Sequence, residues 1–363
     1  MRALFVHGGT AWEGGARIFA TVARAFAERG HETWFAAPAG SEAAVEAIER
    51  GVTVVALPER RSARGDAKRL RDQMPRSYAD VTFVHDDRTQ LAAALAVRAV
   101  GHGGVVRRVA AGERLVLTWR GRRAERLVPT RILYTSESAP AGHAAPSGAL
   151  TPMRAELGVE SGGRAGDWGD GRIPSDLGDS PVLACVATRA SLRRATNVVR
   201  AAALLAQRHA GLRLRVIGSV SQDEEIKLLA AALGIARRVD WLGHPRDMGK
   251  ALEGAAAGWV VADGDDAALG TLDLMAHGVA VLAERTSIAS RYVSHGIQGT
   301  LMATLDPPLM AAETAILLSD RERRMAMGAA GRARVEREFP FRDMLAAFEH
   351  AARSARERVG ARP

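Results

Sequence analysis

The chain has 363 residues, 47% hydrophobic and 25% charged, with a formal net charge of +9. Its length exceeds what one core usually organises, so two domains are expected, and its composition excludes a disordered or collagen-like chain. It contains no run of eighteen or more uncharged apolar residues, MRALFVHGG is only a strand's length, and the single cysteine allows no disulfide within the chain, so a cytoplasmic protein is expected. That cysteine, Cys185, lies in VLACVAT and reads as a buried structural thiol.

RALFVHGG reads as a short buried strand, the helix GGARIFATVARAFAERGHE stops at Gly30, and TWFAAP is the next strand. Thr10, Ala11, Trp12 and Glu13 lengthen the loop ahead of Gly14 and Gly15, whose lack of side chains lets a ligand approach the backbone. SEAAVEAIERG suits a helix, VTVVALP a strand, and 59–76 a charged connection. DVTFVHDD is a strand with His85 at its carboxyl end, where open parallel sheets bind ligands, so His85 is a positioning or structural candidate. The helix TQLAAALAVRAVG, the strand GGVVRRVAAGE and the strand RILYTSE complete this half. Residues 139–180 are dense in Gly, Ser, Asp and Pro and read as a linker.

The second half restarts the alternation. PVLACVAT, LRLRVIGS, RRVDWLGHP and GWVVAD are strands; NVVRAAALLAQRHAG, QDEEIKLLAAALGI and RDMGKALEGAA are helices. Such alternation predicts parallel sheets with right-handed crossovers. After GWVVAD comes DDAALGTLDLMAHGVAVLAERTS: an acidic turn, a short helix stopped by Gly278, and a buried strand. A helix beginning at Gly270, Thr271 and Leu272 would present free backbone N–H groups to an anion. Asp265 in the loop and Asp273 in the first turn, eight positions apart, would frame it as acceptors for sugar hydroxyls, or else both are solvated surface charges.

Charge is uneven: residues 1–165 hold 24 Lys and Arg against 17 Asp and Glu. The excess comes from Arg60, Arg61, Arg64, Lys68, Arg69, Arg71 and Arg76, and from Arg107, Arg108, Arg114, Arg120, Arg122, Arg123, Arg126 and Arg131. An anionic membrane surface or an anionic acceptor would fit such a face, as would ordinary solvation of an arginine-rich surface. Aromatic residues are 5% of the chain and Trp119 alone interrupts the second cluster, so the stacking platforms of a nucleic-acid binder are missing.

The segment from Asp265 resembles the acidic motif of retaining glycosyltransferases with the GT-B fold, in the large nucleotide-sugar-dependent group called glycosyl transferases group 1. Leu274, Met275, Ala276, His277, Gly278, Val279, Ala280, Val281 and Leu282 fit its helix, glycine and strand. Both motif glutamates are aspartate here, Asp266, Ala267 and Ala268 replace glycine-phenylalanine-glycine, and Gly270 replaces proline. The opening is similar too, through Gly14, Gly15, Arg17, Arg29, Gly30, His31 and Glu32. Arg189 and Arg194 stand where relatives place an arginine and a lysine on the donor diphosphate. Trp241, Leu242 and Gly243 match the turn that reads the nucleobase, and the closing segment includes a kink near Phe339. Relatives often carry a histidine where Arg107, Arg108, Val109 and Ala110 stand.

The resemblance implies an α/β chain of two Rossmann-like domains facing a cleft. An acceptor domain would span 1–150, a linker 151–180, a nucleotide-sugar domain 181–338, and 339–363 a helix crossing back to the first domain. It implies a retaining transfer of a hexose from a nucleoside diphosphate sugar to an acceptor hydroxyl, in cell-envelope glycan or glycolipid synthesis. Asp265, Arg189 and Arg194 would be catalytic; Asp273, Gly270, Thr271, Leu272 and Gly243 would bind the donor; Gly14, Gly15, Arg17, His85 and Arg108 would line the acceptor side. No cofactor and no metal is expected, since arginines and a helix dipole would carry the phosphates. The shortened carboxylates and missing histidine keep open a non-catalytic descendant that binds a nucleotide sugar or a partner protein, and epimerase chemistry on the same fold is a third reading. An acceptor of that kind would place the protein at the inner face of the membrane.

Overall fold

The computed structural model describes residues 1–58, 62–73, 78–140, 153–160 and 180–357. The chain forms two units, one of Met1–Glu156 with the chain from Arg342 onward and one of Leu157–Phe341. Of the span 151–180 read as linker, 151–152 and 161–179 lie outside the described residues, as do Arg60, Arg61 and Arg76 of the first basic cluster.

The first unit runs β1 (Arg2–Val6), α1 (Gly14–Glu28), β2 (Glu32–Pro38), α2 (Glu42–Glu49), β3 (Val54–Leu57), α3 (Ala63–Gln73), β4 (Val81–Val84), α4 (Asp87–Val100), β5 (Gly104–Val109), β6 (Arg114–Leu115), α5 (Trp119–Leu127), β7 (Thr130–Thr135), β8 (Ala139–Pro140) and β9 (Met153–Ala155). Seven strands pair in the order β3-β2-β1-β4-β5-β7-β9, all parallel, while β6 pairs with β8. Strands covered on both faces need apolar side chains in both directions, as Ala3 to Val6 and Val81, Phe83 and Val84 supply, while the one polar side chain of β4, Thr82, is satisfied by the Tyr78 hydroxyl at 3.0 Å. In α1, Ile18, Phe19, Val22 and Phe26 form one helical stripe and are buried; Gly30, at φ +81°, ends the turn that follows.

The second unit runs β10 (Val182–Ala187), α6 (Leu192–Ala206), β11 (Arg213–Ile217), α7 (Glu224–Ala232), β12 (Val239–Gly243), α8 (Met248–Leu252), β13 (Ala255–Val261), α9 (Gly264–Ala276), β14 (Ala280–Glu284), α10 (Ser287–Tyr292), β15 (Gly299–Met302), α11 (Pro307–Ser319) and α12 (Arg321–Glu338). Its six strands are parallel in the order β12-β11-β10-β13-β14-β15. Cys185 is fully buried within β10, and burial pushes its thiol up to about 12. Phe339 ends α12 and packs against Tyr292 at 4.9 Å.

The last helix, α13 (Phe341–Glu357), lies on the first unit's sheet. Phe348 meets Phe83 at 5.5 Å, and Phe83 stacks on Phe5 at 4.8 Å. At the head of β5 a Cβ on Gly104 would lie 2.5 Å from the Ala355 carbonyl oxygen, so the absence of a side chain there lets helix and strand touch.

Candidate functional site

In the second sheet β10 has β11 on one side and β13 on the other, so the direction of winding reverses beside it. Open α/β sheets bind ligands at the carboxyl ends of such strands. After β10 come Thr188 and a 3-10 turn, Arg189–Ser191, leading into α6; after β13 come Ala262, Asp263 and α9. The Ser191 hydroxyl donates to the Val261 carbonyl, tying these loops together. Arg189 N–H donates to Ser219 Oγ at 2.8 Å, and Gly218 N–H donates to the Gly243 carbonyl at 2.7 Å. Four strand ends are thereby knitted along one edge.

The two helices that start there carry opposite charge. The first turn of α6 holds Arg193 and Arg194 and no carboxylate, whereas α9 has Asp263 at its N-cap and Asp265 and Asp266 in its first turn. The macrodipole of α6 is therefore open to an anion, while that of α9 is already offset by its own acids. Arg194 pairs with Asp263 and lies 3.5 Å from Glu284 at the end of β14. Arg189 is 61% exposed at its side chain and 4.0 Å from Asp223.

In the first sheet the reversal falls between β1 and β4, and a histidine follows each. His7 and His85 stack at 4.7 Å, and Gly8 N–H donates to His85 Nε2 at 2.9 Å, which places the ring proton of a neutral His85 on Nδ1. A Cβ on Gly8 would lie 2.3 Å from Asp86 Oδ2 and one on Gly9 2.8 Å from His7 Nε2, so this glycine pair lets the loop close over both rings. The loop continues to α1, where Gly14 is buried, and Gly15 and Arg17 are half-buried. Trp12 fixes it: the residue is 4% exposed with the Arg50 guanidinium 4.7 Å from its ring centre, and its backbone N–H donates to the Glu42 carboxylate at 3.2 Å.

Burial, aided by the neighbouring His85, lowers His7 from 6.5 to about 3. Its folded pKa lies below its unfolded one, so as pH falls the unfolded chain takes up the proton first and stability is lost from 6.5 down to about 3. The expected slope is up to about 1.4 kcal/mol per pH unit. Hydrogen exchange of the β1 and β4 amides between neutral and mildly acid pH should show this loss in the wild type and a flatter profile in His7→Phe; equal profiles would contradict it.

Among the described residues no group of three or more His, Cys, Asp or Glu could hold a metal ion, and no helix is long and apolar enough to cross a membrane. Residues 173–334 match the family model described as Glycosyl transferases group 1. This region, residues 173–334, carries the sequence pattern of that family. The fold agrees across nearly the whole length. The structure of Alr3699/HepE from Anabaena in complex with UDP and glucose superposes with a TM-score of 0.70 at 14% identity, covering 98% of this chain and 100% of that one. A glycosyltransferase from Rickettsia africae gives 0.69 at 14%, covering 98% of each chain, and sucrose-phosphate synthase from Thermosynechococcus elongatus 0.66 at 12%, also covering 98% of each. No curated protein matches the chain in sequence. These likenesses give the expected α/β GT-B fold.

Several expected site residues lie elsewhere than the sequence placed them. Helix α9 begins at Gly264, because Asp266, Ala267 and Ala268 continue a helix that glycines would interrupt. Asp265 therefore sits in the first turn and not in a loop. Gly270, Thr271 and Leu272 are mid-helix, where backbone N–H groups are already bonded and cannot receive a phosphate. A Cβ on Gly270 would lie 2.8 Å from Val186, Thr271 donates its hydroxyl to the Ala267 carbonyl at 2.7 Å, and Leu272 is fully buried, so all three serve packing. Asp273 is 3% exposed and lies about 12 Å along the axis from Asp265. The two acids do not frame one loop.

Gly243 keeps a place on the carboxyl edge with φ +60°, its carbonyl taken by Gly218. Arg108 is 1% exposed, over the Phe19 ring and donating to Thr135 at 3.2 Å, and Arg107 pairs with Asp87 and Gln90, so neither belongs to a basic face. Sequence reasoning missed His7, although the placement that singled out His85 applies equally to the end of the first strand.

Proposed function

We propose that the protein is a retaining glycosyltransferase whose nucleoside diphosphate sugar binds at the carboxyl ends of β10 and β13. The carrying observation is the division of charge between the starts of α6 and α9. A diphosphate suits the open dipole of α6 with Arg189, Arg193 and Arg194, and sugar hydroxyls suit the carboxylate of Asp265. In the step, the bond from the anomeric carbon to the phosphate oxygen breaks, the acceptor oxygen bonds to that carbon, and the acceptor proton passes to the departing diphosphate. Negative charge grows on that leaving group, where fixed cations contribute most. The UDP and glucose held by HepE support a uridine diphosphate sugar as the first donor to try.

Gly14, Gly15, Arg17 and His85, at the carboxyl edge of the first sheet, are proposed for the acceptor. The acceptor class we favour is a cell-envelope glycan or glycolipid, handled by a cytoplasmic protein that rests on an anionic membrane surface. The burial of Asp273 supports a second reading, a descendant that binds the nucleotide sugar without transferring it.

Incubation with the common nucleoside diphosphate sugars, following diphosphate release and the anomeric configuration of product, separates the two. Asp265→Ala should lower turnover about 10²-fold while diphosphate binding persists, because the sugar contact is lost and the phosphate contacts are not. Intact nucleotide binding with neither transfer nor donor hydrolysis would establish the binding reading instead.

A further inference from the structure

The segment from Arg114 to Leu127, RLVLTWRGRRAERL, turns an unusual face to solvent. In α5, Trp119, Arg122, Arg123 and Arg126 stand at i, i+3, i+4 and i+7, one continuous stripe, and all four are exposed. Gly121 and Ala124 on the opposite side are buried. A stripe in that register ordinarily carries a helix's core contacts; here it points outward with an aromatic ring in it. Trp119 is 59% exposed, and Val116, just before the helix, is 65% exposed.

Packing holds the face in place. A Cβ on Gly121 would lie 2.7 Å from Asp87 Oδ1, so α5 sits hard against the start of α4. Thr118 N–H donates to Asp87 Oδ2 at 2.6 Å. Glu125, the one carboxylate within α5, is drawn inward by Gln90 at 2.7 Å and Thr130. The arginines are left unbalanced: among the described residues Arg114, Arg120, Arg122, Arg123 and Arg126 are exposed and none makes an ion pair. Arg122 donates to the Leu117 carbonyl, and Arg120 lies 5.2 Å from the centre of the Trp119 ring.

We propose that this face docks the protein on a bilayer of anionic phospholipid. Guanidinium groups bind lipid phosphates bidentately, and an indole ring settles at the level of the headgroups. Val116 sets lipid apart from other polyanions, since an aliphatic side chain has nothing to stack on in a nucleic acid but gains from leaving water in a membrane. The inference bears on the acceptor part of the reading above, yet it is tested without donor or turnover and can fail or hold independently of them.

Full-length protein is sedimented with phosphatidylcholine vesicles, alone or with about one quarter phosphatidylglycerol. Binding is expected only to the anionic vesicles, fading as salt shortens the Debye length. Each arginine near such a surface is worth roughly fivefold in affinity, so Arg122→Glu with Arg123→Glu should weaken binding more than about 25-fold. Trp119→Ser and Val116→Ser should each weaken it while leaving the unfolding midpoint and diphosphate binding unchanged, since all four positions are exposed. No binding to anionic vesicles at low salt would overturn the proposal. So would binding indifferent to Val116→Ser and Trp119→Ser together with equally tight binding of single-stranded RNA, which would mark a nucleic-acid face.

Discussion

Gly218→Ala is expected to destabilise the second unit by about 3 kcal/mol or more. Gly218 follows β11 with φ +106° and ψ 179°, a region that residues with a Cβ scarcely enter. The added carbon would also stand 2.2 Å from the carbonyl oxygen of Ala187, which belongs to β10 in the middle of the sheet and cannot retreat without breaking its ladder. Relief would have to come from the loop, and that loop supplies the Gly218 bond to Gly243 and the Ser219 hydroxyl that holds Arg189. Gly234→Ala is the control. Its φ is +74° but nothing lies within 4 Å of the added carbon, so only the backbone cost of about 1 kcal/mol remains. Urea unfolding of the full chain measures both, and equal losses would mean that the loops after β10 and β11 are not pressed together.

The fold was legible because parallel strands buried on both faces announce themselves as short apolar runs, as VTFV and GWVV do, and because Gly30, Gly101 and Gly278 end helices where the chain needs a positive φ. The site was legible only in part. The start of α9 was misplaced since a loop was expected where Ala267 and Ala268 in fact extend the helix, and that shift alone moves Gly270, Thr271, Leu272 and Asp273 from the ligand to the core. Arg107 and Arg108 read as surface charges, because no local pattern reveals that Asp87, Gln90 and Thr135, distant in sequence, will satisfy guanidinium groups inside the sheet. The loop carrying Thr10 to Glu13 was shapeless in sequence for the same reason: Trp12 is placed by Glu42 and Arg50.

Arg194→Ala is expected to weaken nucleoside diphosphate binding by about 1.5–3 kcal/mol, the range for hydrogen bonds to a charged group. Arg194 sits in the first turn of α6, where the dipole adds to its charge, and its partners Asp263 and Glu284 hold it at the mouth of the β10 and β13 ends. The Asp263 side chain is 71% exposed, so its pair is screened by water and is readily exchanged for a phosphate. Removing that competitor has the opposite sign: Asp263→Asn should tighten diphosphate binding. Calorimetric titration of uridine, adenosine and guanosine diphosphates into the wild type, Arg194→Ala and Asp263→Asn tests the placement of the donor directly. At least one nucleotide should bind the wild type, more weakly Arg194→Ala and more tightly Asp263→Asn. Affinity unchanged in both variants would contradict a diphosphate at the start of α6.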